Sequence, residues 1–240
     1  PRIHANKHHE EQGSSADNLR RMLAGSNICE NHVNDKVQDA YVMRCMPHIH
    51  GAAKKLVKEA YEVIVDEMHS VSDNPEIFAE GADDGVALMS GNFDGSFVGA
   101  HADMISMACA IIGKVVERGT DRMVNRNLND GLPAFLVSNP GLNSGFMIPQ
   151  YVTAGLLGDI ALLCAPAAAF NAAVSAGQES PVYRDDTAAR QLYQAVQKLR
   201  SLVSMTMLTA LQAIDLSDHK AMSPVTQKIH DHARQTVTFM

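Results

Sequence analysis

Four long runs of helical periodicity, with no run of alternating strand periodicity, restrict this chain to a fold of packed helices. Pro47 suits a first helical turn because it has no N–H to leave unpaired. After it, Ile49, Ala53, Leu56, Ala60, Val63, Ile64 and Met68 recur at helical spacing, with Lys54, Lys55, Lys58, Glu59 and Glu62 on the other face. The pattern predicts a helix to about His69. Val71-Ser72-Asp73-Asn74-Pro75 then breaks it, since Asp and Asn bond the local backbone and proline bars continuation. A second helix is predicted from about Ser96 to Val124. Its Val98, Ala100, Met104, Ile105, Ala108, Ile111, Ile112 and Val115 wrap much of the circumference, which predicts deep burial, and its end is charged through Lys114, Glu117, Arg118, Asp121 and Arg122. A third is expected from near residue 149 to about 173, kinked at Pro166. A fourth starts near Thr187, striped by Ala189, Leu192, Val196, Leu199, Val203, Leu208, Leu211 and Ile214. It spans roughly 28 residues, or about 42 Å. A short fifth helix fits within residues 224–237.

The segments between these runs are expected to be irregular. Residues 1–34 read as a polar, irregular segment with one short helix, in which Ser15-Ala16-Asp17-Asn18 can cap Leu19, Met22 and Leu23 before Gly25 stops it. Residues 76–95 read as a loop with Gly81, Gly85, Gly91 and Gly95. Residues 125–148 form a longer one, turned by Asn-Pro-Gly and Asn-Ser-Gly, and such loops in compact proteins are usually functional or part of an interface. No internal repeat and no low-complexity segment occurs. The expectation is an all-α fold, a bundle of long, largely buried helices over residues 35–240. The helices are longer and more apolar than a free-standing bundle of this size needs, so other subunits are expected to cover them.

Composition agrees. Of the 240 residues, 46% are apolar and 20% charged, too apolar for disorder, while 5% aromatics and no Trp favour helices over a β-sandwich. A net charge of −7 implies no basic surface for nucleic acid. Cys29, Cys45, Cys109 and Cys164 show no CxxC spacing. Cys109 and Cys164 lie in apolar runs and read as reduced core residues of a cytosolic (cytoplasmic) protein. Pro1-Arg2-Ile3-His4 is polar and unlike the apolar region of a signal peptide. The most apolar window, 151–174, contains Gly158, Asp159, Pro166 and Asn171 and reads as a buried helix with no membrane span. His8-His9-Glu10-Glu11 matches no zinc spacing, and His48 and His50 do not share a helix face, so no metal site is expected.

Chemistry concentrates at three polar clusters, each at a break between helices: Gln38, Tyr41 and Arg44; residues 90–93 with Asn92 and Phe93; and Gln178 with Glu179. Polar groups at buried helix ends carry a desolvation cost unless paired, so these are either caps and salt bridges or a site. In the first case Arg44 pairs with Asp39 or Glu179. In the second, Arg44 offers a planar fork for a substrate carboxylate, Tyr41 a phenol that can donate or accept, Phe93 an aromatic wall, and Glu179 an acceptor for a ring N–H or a cationic group. Together they describe a pocket for an aromatic α-amino acid. No P-loop, strand-linked GxGxxG, GxSxG or HExxH is present.

At these residues the chain resembles the aromatic amino acid ammonia-lyases, and histidine ammonia-lyase most. The likeness is carried by Val37-Gln38-Asp39-Ala40-Tyr41-x-x-Arg44-Cys45-x-Pro47, Val71-Ser72-Asp73-Asn74-Pro75, Ser90-Gly91-Asn92-Phe93, Phe135-Leu136-Val137, Gly141-Leu142-Asn143-Ser144-Gly145-Phe146-Met147-Ile148 and Ser175-Ala176-x-Gln178-Glu179. The blocks appear in family order over roughly residues 14–236. The resemblance implies the fumarase-like helical lyase fold, normally a homotetramer with active sites shared between subunits. It implies a methylidene-imidazolone electrophile, the MIO group, made from the chain's own Ala-Ser-Gly. It also implies elimination of ammonia from an aromatic amino acid, histidine to urocanate first among them. By position, Arg44 would bind the substrate carboxylate and Tyr41 would assist at the amino group. Gln38, Asn92 and Gln178 would belong to the surrounding polar network, Phe93 would line the pocket, and Glu179 would face the ring or amine.

The departures shape the expectation. No contiguous Ala-Ser-Gly occurs, so the chain is expected to be a C-terminal half (a proteolytic fragment, a split subunit or a partial chain), part of one larger lyase domain, that needs an N-terminal half or partner chain for activity. Val42, His48 and Gly177-Gln178-Glu179-Ser180-Pro181 differ from the family's usual residues around the pocket. The alternatives are a lyase of a trimethylated histidine betaine that needs no electrophile, an aromatic 2,3-aminomutase, or a structural subunit without chemistry.

Overall fold

A computed structural model describes residues 2–32, 34–79, 85–170, 172–217 and 221–239. Pro1, Gly81 and Asn171, used in the reasoning above, lie outside them. Among the described residues the fold is all-α apart from one small hairpin. The helices are α1 (Arg2–Ala5), α2 (Glu10–Leu23), α3 (Asn27–Asn31), α4 (Tyr41–Arg44), α5 (Met46–Met68), α6 (Ser96–Val124), α7 (Met147–Leu163), α8 (Asp185–Leu216) and α9 (Pro224–Arg234). The hairpin is β1 (Glu76–Phe78) with β2 (Val86–Leu88).

Helix α6 is the axis. Thr120 Oγ1 meets Thr206 Oγ1 at 2.8 Å near one end, and Gly99 lies against Asp185 near the other, so α8 runs parallel to it. Gln150 Nε2 donates to Asp121 at 2.9 Å and Cys164 Sγ to the Ser106 carbonyl at 3.0 Å, so α7 runs antiparallel. The residues α6 buries are mostly small: Gly99, Ala102, Ser106, Ala108, Ala110 and Gly113. The bulky Met104, Ile105, Ile111 and Ile112, expected deep inside, are only half-buried. Small residues on the axis let neighbouring backbones approach. A Cβ at Gly113 would sit 3.2 Å from Leu157 Cδ1. The apolar layers that result, Cys109, Ala110, Ile160 and Ala195 in one and Val124, Leu136, Phe146 and Ala213 in the next, form the core. Leu136, Ile160 and Leu202 are fully buried, each worth about 1.5–3 kcal/mol of apolar transfer.

Three expectations about where elements start and stop are also corrected. Residues 1–34 are more helical than irregular: α2 alone has 14 residues and buries Gln12, Ser15 and Ala16. Gly51 makes this possible, since a Cβ there would fall 2.6 Å from Gln12 Cα. Residues 76–95 are not all loop. β1 and β2 pair antiparallel with Glu76 opposite Leu88, and three-residue strands are too short to show a period of two. The third helix stops at Leu163 and is not kinked at Pro166. Proline disfavours the helical conformation of the residue before it, and a 3₁₀ turn, Ala167–Ala169, follows.

Ser96–Val124 and Met147–Ala169 are long and apolar enough to cross a membrane by length and composition. In α6 that character is matched by packing on three sides. Helix α7, expected to be buried, fully buries only Thr153 and Ile160 and leaves Ile148, Tyr151, Val152 and Leu162 exposed. With Phe97, Met107, Tyr193 and Met207 on the neighbouring helices, the described chain presents broad apolar faces to solvent.

Candidate active site

The three polar clusters fall at the two ends of α6. At its C-terminal end lies the turn that carries Gln38, Tyr41 and Arg44. One helical turn, α4, is set by Met43 and Arg44 N–H groups donating to the Ala40 carbonyl at 2.9 and 3.1 Å. Cys45 then joins it to α5, whose first turn takes Pro47 without losing a hydrogen bond. The Arg44 guanidinium lies over the Tyr41 ring, 5.4 Å from its centroid, a cation–π contact. Arg44 forms no ion pair with a described carboxylate, neither Asp39 nor Glu179. Gln38, Tyr41 and Arg44 are all exposed. The fork that could grip a carboxylate is therefore uncommitted among the described residues.

Beside Tyr41 opens a cleft of about 480 Å³, lined by Tyr41, Val42, Ile49, Val115 and Leu128 with a rim of Lys114, Arg118, Asp121 and Arg122. The sequence reading treated that rim only as the charged end of a helix. Arg118 grips the buried Glu117 carboxylate through Nε and Nη2, both at 2.6 Å, and reaches Asp121 at 3.3 Å. The bond to Glu117 holds the guanidinium charged and raises its pKa. Arg122 is spent on the Leu128 carbonyl at 3.1 Å. Lys114 is exposed at the mouth of the cleft.

At the N-terminal end of α6 sit the other two clusters. Asn92 and Phe93 occupy the turn after the hairpin, both exposed. Asn92 Nδ2 and Ser90 Oγ donate to Glu76 Oε1 at 2.5 and 3.0 Å. Gln178 and Glu179 lie in the segment that returns from α7 to α8. There, Ala167 and Ala168 N–H groups donate to the Asp103 carboxylate at 3.1 and 2.8 Å, which fastens the start of the segment to α6. Val174 and Glu179 form an antiparallel bridge, with Val174 N–H donating at 3.0 Å. Ser175, Ala176 and Gly177 between them all have positive φ, strained for the first two. Asp185 then packs against Gly95 and Gly99 at the start of α6. Phe93 and Glu179 thus share one end of the bundle.

Tyr41 and Arg44 do not join them. The cleft at Tyr41 touches α6 between Lys114 and Arg122, roughly 27–39 Å along the helix from Ser96 at 1.5 Å per residue. Sequence reasoning missed Glu76, Asp103, Asp185 and Gly95, which fix the Phe93–Glu179 end. Glu76, Gly95 and Asp185 each lie beside a motif or a helix start, whereas Asp103, inside α6, carries no such signal. No group of three or more His, Cys, Asp or Glu among the described residues is arranged to hold a metal ion.

A family model for aromatic amino acid lyases matches residues 1–235. The histidine ammonia-lyase of Geobacillus kaustophilus is 40% identical over 99% of this chain. The chain spans 46% of that relative, about half the length of the curated relatives it matches. Among solved structures, histidine ammonia-lyase from Trypanosoma cruzi superposes with a TM-score of 0.89 at 31% identity, over 100% of this chain and 44% of its own. The phenylalanine aminomutase of Pantoea agglomerans superposes with a TM-score of 0.92 at 25% identity, over 100% of this chain and 50% of its own. The helical architecture, the motif blocks and these likenesses agree, and the chain belongs to the aromatic amino acid lyase family.

Proposed function

We propose that this chain is the part of a carbon–nitrogen lyase that binds an aromatic α-amino acid, with histidine the favoured substrate, and that residues 35–240 form part of one larger lyase domain. The carrying observation is Arg44: exposed, uncommitted to any described carboxylate and held on the Tyr41 ring. Its fork takes the substrate carboxylate bidentately. Tyr41 donates to or accepts from the amino group, with Gln38 in the same polar turn. Phe93 lies against the substrate ring, Glu179 accepts from its N–H, and Asn92 and Gln178 complete the polar lining. In the reaction a Cβ proton and the amine leave and a trans double bond forms between Cα and Cβ.

Because Tyr41 and Arg44 stand a helix length from Phe93 and Glu179, one copy cannot form the pocket. A pocket drawing the two ends from different copies fits this spacing, as do the exposed apolar faces of α6, α7 and α8, and a homotetramer in the cytoplasm is the assembly proposed. The free Cys45, Cys109 and Cys164 fit a reducing compartment.

The residues present do not fit the family's electrophile. No Ala-Ser-Gly occurs, and Ser175-Ala176-Gly177 has the three in another order, folded into a turn of positive φ. The electrophile and the N-terminal half that carries it are therefore sought in another polypeptide segment, and this chain's residues bind and orient. A second reading, an aromatic 2,3-aminomutase, is favoured by the superposition on the phenylalanine aminomutase.

The test is the complete lyase with Arg44→Ala, followed by arylacrylate absorbance on histidine, phenylalanine and tyrosine. Loss of one charge-assisted pair lowers kcat/KM roughly 10–150-fold. Unchanged kinetics would remove Arg44 from the pocket, and a β-amino acid product would select the aminomutase.

A further inference from the structure

Glu76 belongs to none of the motif blocks, yet it holds the turn that carries Asn92 and Phe93. It opens β1, and the hairpin returns residues 90–92 to it. Its Oε1 accepts from Asn92 Nδ2 at 2.5 Å and from Ser90 Oγ at 3.0 Å. Ser90 Oγ, its proton given to Glu76, accepts from the Asn92 backbone N–H at 3.3 Å. Asp94 N–H donates to the Gly91 carbonyl at 3.0 Å and closes the turn. One carboxylate oxygen thus ties both the backbone and the side chain of residues 90–92 to the hairpin.

The chemistry of that oxygen decides which way the Asn92 amide faces. A carboxylate can only accept hydrogen bonds, whereas an amide has a donor side and an acceptor side. With the amide reversed, two acceptors would face each other at hydrogen-bond distance. Glu76 therefore takes the NH₂ group and turns Oδ1 away from β1. We infer that Glu76 is a positioning residue that locks the Asn92 amide so that Oδ1 is presented beside Phe93 as an acceptor, for an N–H donor of the ligand. This rests, for its function, on the reading that Asn92 and Phe93 line the substrate pocket. A ligand's ammonium or ring N–H satisfies Oδ1, and a ligand group that only accepts is turned away.

Three variants test it: Glu76→Leu removes the acceptor at similar volume, Glu76→Gln keeps one acceptor oxygen, and Ser90→Ala removes only the second branch. Far-UV circular dichroism verifies that each is folded. In the 240-residue chain, the side-chain amide resonances of Asn92 are followed by ¹⁵N NMR. Glu76→Leu moves them to a solvent-exposed position and speeds their exchange with water about tenfold or more, Glu76→Gln leaves them near the parent position, and Ser90→Ala shifts them partially. In the complete lyase, Glu76→Leu raises KM for histidine about tenfold with a smaller change in kcat, and Glu76→Gln restores it. An Asn92 amide that does not respond to Glu76→Leu overturns the inference. An amide that is released while KM stays unchanged keeps Glu76 as the holder of the turn and overturns both the ligand-facing role of Oδ1 and the placement of Asn92 in the pocket.

Discussion

Replacing Gly95 with alanine should damage the Phe93–Glu179 end of the bundle through one steric contact. Gly95 is the residue before α6, with φ −84° and ψ 17°, a conformation alanine adopts without strain. A Cβ there would sit 2.3 Å from Asp185 Cγ and Oδ2 and 2.8 Å from Asp185 Cβ. To reach ordinary contact near 3.4 Å, the carboxylate and the start of α8 must retreat by about 1.1 Å. Overpacking of this kind costs about 1–3 kcal/mol, which for a chain of this size lowers Tm by about 2–12 °C. Alanine is also a poorer N-cap than glycine, by roughly 0.5 kcal/mol, and that part is independent of Asp185. The double variant Gly95→Ala/Asp185→Ala should therefore recover most of the loss but not the N-cap part. Gly91→Ala, four residues earlier with no described atom within 4 Å of its Cβ, should be near neutral. Thermal unfolding of the parent, Gly95→Ala, Asp185→Ala and the double variant closes the cycle, with Gly91→Ala as the control and kcat/KM of the complete lyase read beside it. A 1 Å displacement at a reacting geometry can cost about 100-fold in rate, so activity should fall further than stability. A Gly95→Ala variant as stable as the parent, or one that Asp185→Ala fails to rescue, would refute the packing argument.

Two further outcomes follow from the core and its edge. Thr206 Oγ1 donates to the Leu202 carbonyl at 3.0 Å, so Thr120 is the donor in the 2.8 Å bond between the two threonines. Thr206→Val leaves the fully buried Thr120 hydroxyl unpaired and should cost about 1–3 kcal/mol, while Thr120→Val/Thr206→Val should cost less than the sum of the single changes in denaturant titrations. Burial, then Lys54, lowers the pKa of His50 below its usual 6.5, and burial, then His48, does the same for His4. The folded state keeps both rings neutral where the unfolded chain takes up protons. Stability should therefore decline as pH falls below about 6.5 and stop declining once the pH is below the folded-state values. His50→Gln should flatten that slope, and an unchanged slope in His4→Gln/His50→Gln would remove both rings from the account.

The helical periods carried the bundle, and the span expected for α6, Ser96 to Val124, is the span observed. Apolar residues recurring along 29 positions leave little freedom. What the periods could not give is which residues face the axis. Small residues carry almost no weight in an apolar stripe, yet Gly99, Ala102 and Gly113 are the ones that let α6 sit in the middle. The hairpin at Glu76 escaped notice because six paired residues are too few for a pattern, and α2 because its buried face is built from Gln12, Ser15 and Ala16. The candidate site was legible as polar residue types at helix breaks. Its geometry was not, because whether two breaks share an end depends on helix direction. That α5 begins at the C-terminal end of α6, while α7 runs against α6 and α8 with it, separates Arg44 from Glu179, and no local pattern encodes that arrangement.

The central claim is that a working pocket takes Tyr41 and Arg44 from one copy and Phe93 and Glu179 from another. Complementation between two inactive forms of the complete lyase tests it most directly. Arg44→Ala and Glu179→Gln proteins are prepared separately, dissociated, mixed in equal amounts and reassembled. If the two ends come from different copies, a pocket that pairs Arg44 from one variant with Glu179 from the other is intact, and random assembly makes about one quarter of pockets so. The account predicts that activity on histidine returns to about that fraction of the parent enzyme. A mixture no more active than its two components would place Arg44 and Glu179 of each pocket in the same copy and contradict the account.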